Sequence, residues 1–173
     1  MQVSHQEAHS DFAAVGGGDV IAFEMASTPH FFTALSDTLY QNKALAMVRE
    51  TISNAHDAHV AAGVTRPVEV TVDQEKFVVR DYGRGIPHEG IRIFTTYGFS
   101  TKGEDDAQTG GFGLGSKAPH AYAAHFTVTS RHDGTMNIYA CSRGSVESEG
   151  KPELRQMVST PCLDSGVTIE VPL

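Results

Sequence analysis

The sequence is short of cysteine, of positive charge and of long apolar runs, and each shortage removes a class of protein. Only two cysteines, Cys141 and Cys162, occur in 173 residues, and they sit in no metal-ligand spacing. That is too few for a secreted disulfide framework, so reduced thiols in a cytoplasmic compartment are expected. Basic residues number 13 against 21 acidic ones, a formal charge of −8. A broad nucleic-acid or anionic-membrane surface needs clustered Lys and Arg, so this balance argues against both. A nucleotide is a different case, because one small pocket of backbone donors holds it inside an acidic protein. No stretch approaches the length of a membrane span, and the first residues lack a basic-then-apolar signal pattern. A soluble protein without a transmembrane segment is the expectation.

What is present alternates between helix and strand patterns. Residues 1–27 read as a polar arm ending in Gly16-Gly17-Gly18-Asp19, then a first strand over Val20–Met25. A single domain is expected over 28–173. Thr28-Pro29 opens a helix to about Tyr40, with Thr as cap and Pro in the first turn. Asn42 caps a longer helix in which Leu45, Val48, Ile52, Ala55 and Ala58 or His59 recur at helical spacing, and Gly63 ends it. Strands are predicted over Pro67–Val72 and Lys76–Asp81, and a short helix over 88–95. Tyr97 to Gly115 holds six glycines, too long and too glycine-rich for a passive connection, and a lid is expected over about 96–115. A helix over Ser116–Ala124 and four strands, HFTVTSR, MNIYACS, ELRQMVS and GVTIEVP, complete the chain. The order predicts a two-layer α/β sandwich with helices on one face of a mixed, mostly antiparallel sheet.

Three segments carry chemistry. In the long helix, Glu50, Asn54 and Asp57 fall at i, i+4 and i+7 and project from one face. Two carboxylates and an amide there suit a hydrated divalent cation and an oriented water; the alternative is a solvated polar stripe. Asp81-Tyr82-Gly83-Arg84-Gly85-Ile86-Pro87 follows a strand. Its alternate glycines permit a sharp turn and close backbone approach, and an aspartate at a strand end can accept from an exocyclic amine such as adenine presents. An ordinary Asp/Gly turn is the alternative. Gly110-Gly111-Phe112-Gly113-Leu114-Gly115-Ser116-Lys117 opens a helix, where exposed N–H groups and Lys117 make an anion site, or else a flexible hinge. It is neither a GxxxxGK[ST] loop nor a GxGxxG turn after a strand.

In this order the three segments resemble the N, G1 and G2 boxes of the GHKL superfamily, which groups gyrase, Hsp90, histidine kinases and MutL. ExxxNxxDA precedes DxGxG, and GGxGxG follows after a lid. The resemblance covers nearly the whole chain and implies the Bergerat fold, ATP as ligand and Mg²⁺ as cofactor. It implies Glu50 as general base, Asn54 as the protein ligand of Mg²⁺, and Asp57 near the same cluster. Asp81 matches the adenine-reading aspartate, with Gly83, Gly85 and Ile86 around base and ribose. Gly111, Phe112, Gly113, Leu114 and Gly115 match the phosphate loop, and Lys102 and Lys117 would meet phosphates. Many members place a Thr that supports the adenine aspartate directly after the glycine of the last strand; here Val167 follows Gly166, and Thr168, which comes next, is the candidate for that nucleotide-binding role.

Within the superfamily, LSDTLYQNKALAMVRETISNAHDAH, VVRDYGRGI, GGFGLGSKAPHAY and SGVTIEVP resemble the N-terminal segment of phage rIIA-like proteins. That likeness implies a phage protein in the bacterial cytoplasm, linked to lysis inhibition and exclusion, with a host or phage protein as partner. The superfamily implies a homodimer formed through the N-terminal arm on ATP binding, and slow hydrolysis by this stretch alone. Gyrase and MutL relatives supply a γ-phosphate lysine from a following domain. The alternative is a nucleotide-gated binding module with little turnover, against which Glu50 argues. A histidine-kinase catalytic domain is disfavoured, since the residues before Thr28 are glycine-broken. His56 and His59, at i and i+3, find no partner at ligand spacing and are read as structural.

Overall fold

The protein is described by a computed structural model over residues 40–95, 115–143 and 151–173. Helix α1 spans Lys43–Ala62, strands β1 and β2 span Glu69–Val72 and Lys76–Arg80, and a 3₁₀ segment covers His88–Phe94. A 3₁₀ turn at Gly115–Lys117 leads into helix α2, Ala118–Tyr122. Strands β3 (His125–His132), β4 (Thr135–Ser142), β5 (Glu153–Pro161) and β6 (Gly166–Pro172) follow. The six strands form one sheet in the order β1-β2-β6-β3-β4-β5. The last strand is therefore inserted between the β1–β2 hairpin and the β3–β4–β5 meander. Every described pairing is antiparallel, in keeping with the mostly antiparallel sheet and helical layer expected from sequence.

One sheet face carries the core because its residues alternate. Phe77 and Val79 of β2, Val167, Ile169 and Val171 of β6, and Phe126 and Val128 of β3 are buried under the helices. Helix α1 lies over that face and also packs on α2. Its ends are fixed by the residues expected: Asn42 Oδ1 accepts from Leu45 N at 3.0 Å, and Gly63 ends it with its N–H on the His59 and Val60 carbonyls. The fully buried stripe is Met47, Thr51, Ala55 and His59, each one turn plus a little from the last. Leu45, expected on the apolar face, is instead 62% exposed.

The predicted strands fall within two residues of the observed ones. Two elements differ. The segment expected to be helical over 88–95 is 3₁₀, and the helix expected over Ser116–Ala124 is a 3₁₀ turn followed by a single α-helical turn. Pro119, at the start of that turn, supplies no N–H donor, and Ala123 is already extended. The expected strand at Val20–Met25, the helix from Thr28 and most of the lid lie outside the described residues.

Candidate functional site

Where β2 ends, a cavity of about 270 Å³ opens between α1 and the sheet. It exists because α1 turns Ala55, Ala58, Ala61 and Ala62 towards it, where larger side chains would close the gap. Val79, Val167 and Ile169 form its floor, and Ile86 and Phe94 its side. Asp81 is its acidic wall. Asp81 is 5% exposed, its N–H donates to the Val167 carbonyl at 2.8 Å, and its Oδ1 accepts from Gly83 N at 2.8 Å. Burial raises its pKa above the usual carboxylate value, opposed by the backbone N–H groups of Gly83 and Val167 and by the charge of Arg80.

Backbone contacts fix this corner from three sides. Gly166 has φ +104°, and any Cβ there would run into the Asp81 carbonyl oxygen. Gly85 lines the cavity with φ +73°, and a Cβ there would strike the Arg131 carbonyl, so glycine is required by the neighbouring strand as well as by a ligand. Gly83 lies against Ala58 of α1. The fully buried Ser130 hydroxyl accepts from Ile86 N at 2.8 Å and donates to Ile86 O at 2.7 Å, a side chain standing in for a strand pair.

The second part of the site lies further along α1. Asn54 is exposed at the cavity rim, one turn beyond Glu50. Glu50 does not line the cavity. Its Oε1 accepts from Arg49 Nη2 at 2.7 Å and Arg49 Nε at 3.2 Å, and its Oε2 faces Gly115, where a Cβ would come within 2.5 Å. The N box and the end of the G2 box therefore meet at this pair. Lys117 is 1% exposed; its Nζ donates to Ser116 Oγ at 3.0 Å, and that hydroxyl donates to Ile93 O at 2.7 Å. Burial brings the Lys117 amine down to about 8.

Two expected residues stand apart. Asp57 is 44% exposed, lies 3.9 Å from His56 Nδ1, and does not line the cavity. Thr168, expected on the adenine side, is corrected: the strand alternation that sends Val167 and Ile169 inward sends Thr168 to the opposite face. There its hydroxyl accepts from Arg131 Nη1 at 3.0 Å. Lys102, Gly111, Phe112, Gly113 and Leu114 lie outside the described residues.

Sequence reasoning missed three residues. Ser130 is polar at an inward position of Phe126-Thr127-Val128-Thr129-Ser130, a mismatch the alternation exposes. Arg49 adjoins Glu50 in the sequence but occupies no position of the motif. His59, read as structural with no partner named, is 5% exposed, and its Nε2 accepts from Tyr82 N at 2.7 Å. Its place on the Met47, Thr51, Ala55 stripe was the available signal.

A helix bearing Glu and Asn laid across an antiparallel sheet, with a buried strand-end aspartate beside a nucleoside-sized cavity, defines the ATP-binding domain of the GHKL class. The chain belongs to that class: it matches the family of histidine kinase-, DNA gyrase B- and HSP90-like ATPases over residues 42–165. The match begins at the α1 cap and takes in all three sequence boxes. No curated protein matches the chain. Among the described residues no helix is long and apolar enough to cross a membrane.

Proposed function

We propose that the cavity holds the adenosine part of ATP and that Glu50 drives slow hydrolysis of its γ-phosphate. The observation that carries this reading is Asp81, a carboxylate buried beside a largely apolar cavity and met there by the backbone N–H groups of Gly83 and Val167. Burial still disfavours the charge despite those two donors, and a carboxylate keeps acceptor capacity for a further one, which an exocyclic amine supplies. The cavity volume is just under the range of about 300–1,000 Å³ typical of small-molecule sites, which suits base and ribose with the phosphates outside. Gly83, Gly85 and Ile86 would border base and ribose. The phosphates would then run towards Gly115 and Lys117, and onward to Gly111, Phe112, Gly113, Leu114 and Lys102. Ionised Lys117 would be matched by their charge.

In this reading Glu50 takes a proton from water as its oxygen attacks the γ-phosphorus, while the β–γ bridging bond breaks and ADP leaves with the electron pair. Asn54 offers a hard oxygen at the exposed rim, and the residues fit a Mg²⁺ that completes its shell with waters and phosphate oxygens. Bound there, the ion would neutralise charge on the transferring phosphate. Asp57 would act at most through solvent. The domain would extend over 28–173 with a lid at about 96–115. A phage rIIA-like identity rests on the four strings quoted above, and a role in lysis inhibition or exclusion, cytoplasmic location, an ATP-dependent homodimer and a protein partner rest on it in turn.

The test is titration calorimetry with a non-hydrolysable ATP analogue and Mg²⁺ on wild type and Asp81→Asn. Saturable binding lost in the variant supports the site; no wild-type binding overturns it. Turnover by Glu50→Ala then separates a hydrolase from a gated binder.

A further inference from the structure

We infer that His59 is a positioning residue for base recognition, aiming Asp81 by accepting a hydrogen bond from the next peptide N–H. The inference rests on the nucleotide reading above and goes beyond it to what sets selectivity for a 6-amino purine. Two peptide planes determine where the Asp81 side chain points. The plane before it is held by β6, because Asp81 N donates to Val167 O at 2.8 Å. The plane after it carries the Tyr82 N–H, and this donates to His59 Nε2 at 2.7 Å. One bond restrains φ of Asp81 from the sheet, the other restrains ψ from the helix. The chain then turns so that Gly83 N reaches back to Asp81 Oδ1 at 2.8 Å, and His59 holds the midpoint of that turn.

The geometry also dictates the state of the ring. An amide N–H can only donate, so Nε2 must be the unprotonated nitrogen and Nδ1 must carry the proton. His59 reaches this point because it closes the buried α1 stripe of Met47, Thr51 and Ala55, directly across from the end of β2. The other restraints on Tyr82 act on its side chain. Its ring lies under the guanidinium groups of Arg66 and Arg80, 3.5 Å and 4.6 Å from its centroid, and its side chain hydrogen-bonds Glu69. Those contacts hold the ring, whereas the bond to His59 holds the peptide plane that follows Asp81.

Selectivity is the readout that general loosening of the fold would not move in this direction. Calorimetric titrations would compare a non-hydrolysable ATP analogue with the matching purine riboside nucleotide, in which hydrogen replaces the 6-amino group. Wild type is expected to prefer the adenine ligand. His59→Leu, which keeps bulk and removes the acceptor, is expected to weaken adenine binding about tenfold while leaving the purine ligand nearly unchanged, so the preference collapses. His59→Gln, whose Oε1 falls close to the place of Nε2, is expected to restore most of it. A His59→Leu protein with wild-type preference overturns the inference and leaves the nucleotide reading standing. Wild type that binds neither ligand overturns that reading and the inference with it. Should His59→Leu not fold, nitrogen NMR on wild type decides: scalar coupling across the hydrogen bond from Tyr82 N to an unprotonated His59 Nε2 supports the assignment, and a protonated Nε2 overturns it.

Discussion

The two ends of the site are held in different ways. At the base end nearly every restraint is backbone: Val167 and Gly83 hold Asp81, Gly166 and Gly85 press against neighbouring carbonyls, and Ser130 is locked to both groups of Ile86. At the phosphate end the restraints are side chains that can rearrange, Arg49 on Glu50 and Lys117 on Ser116. Under the function proposed above, these would be a rigid reader of the base beside an adjustable reader of the phosphates, the division that ATP hydrolysis calls for. The base is unchanged by hydrolysis, whereas the phosphates are cleaved and released.

The most direct way to break this comparison is at Asp81. Asp81→Asn is expected to weaken binding of the ATP analogue about a hundredfold, because a charged acceptor for the amine is lost. Stability should move the other way. Burial raises the Asp81 pKa, so the folded state disfavours the ionised form. That cost is absent below the ordinary carboxylate range, grows as pH rises through the raised folded value, and is complete at neutral pH. Thermal unfolding should therefore show a higher midpoint for Asp81→Asn at pH 7 and no gain at strongly acidic pH. A lower midpoint at pH 7 would mean that the carboxylate is already well compensated in the free protein.

Equivalent substitutions at the two ends sharpen the contrast. Gly166→Ala places a methyl against the Asp81 carbonyl at a positive φ and should cost about 2 kcal/mol of folding stability in denaturant titrations. Gly115→Ala meets only the far end of the Glu50 side chain, which can swing aside. Its stability should change by less than about 0.5 kcal/mol while turnover falls about tenfold. Equal stability losses at both sites would refute the distinction between a fixed and an adjustable end.

Much of this was legible in the sequence. The spacing of Glu50, Asn54 and Asp57, the Asp81 turn and the strand alternation from His125 onward gave the fold and the placement of Asp81. Thr168 was misplaced because a strand has period two: a one-residue offset from Val167 moves a side chain through the sheet. Asp57 shares a helix stripe with Asn54, yet the three-residue step carries it off the face of Ala55, Ala58, Ala61 and Ala62 that lines the cavity. His59 and Ser130 escaped because their value lies in backbone groups more than twenty residues away, and helical or strand periodicity carries no record of such partners.

Lys117 offers a test through pH. Its amine titrates near 8 when buried in the free protein, and nearby phosphates would raise that value. Binding should then take up a proton, so affinity should be highest below about pH 8 and fall several-fold by pH 9. The free protein should change in the opposite sense, gaining stability as pH rises above about 8, where the unfolded chain still holds the proton that folded Lys117 gives up. Calorimetry in two buffers of different ionisation enthalpy would reveal the uptake.

The smallest effect is expected at Arg49, and it isolates the adjustable end most cleanly. Arg49 is 71% exposed and Glu50 only 19%, so the pair is a solvated guanidinium reaching down to a mostly covered carboxylate. Exposed pairs contribute little to stability, about 0–1 kcal/mol, and Arg49→Ala should leave the unfolding midpoint nearly unchanged. Its effect should fall on geometry. With Oε1 held by Arg49, Oε2 is turned towards Gly115, where the attacking water and γ-phosphate would meet. Without that hold the carboxylate samples other rotamers, and turnover should fall about fivefold while affinity for the ATP analogue stays unchanged. If affinity fell in step with turnover, Arg49 would be touching the nucleotide itself, and the phosphate end would be built from α1 as much as from the glycine loop.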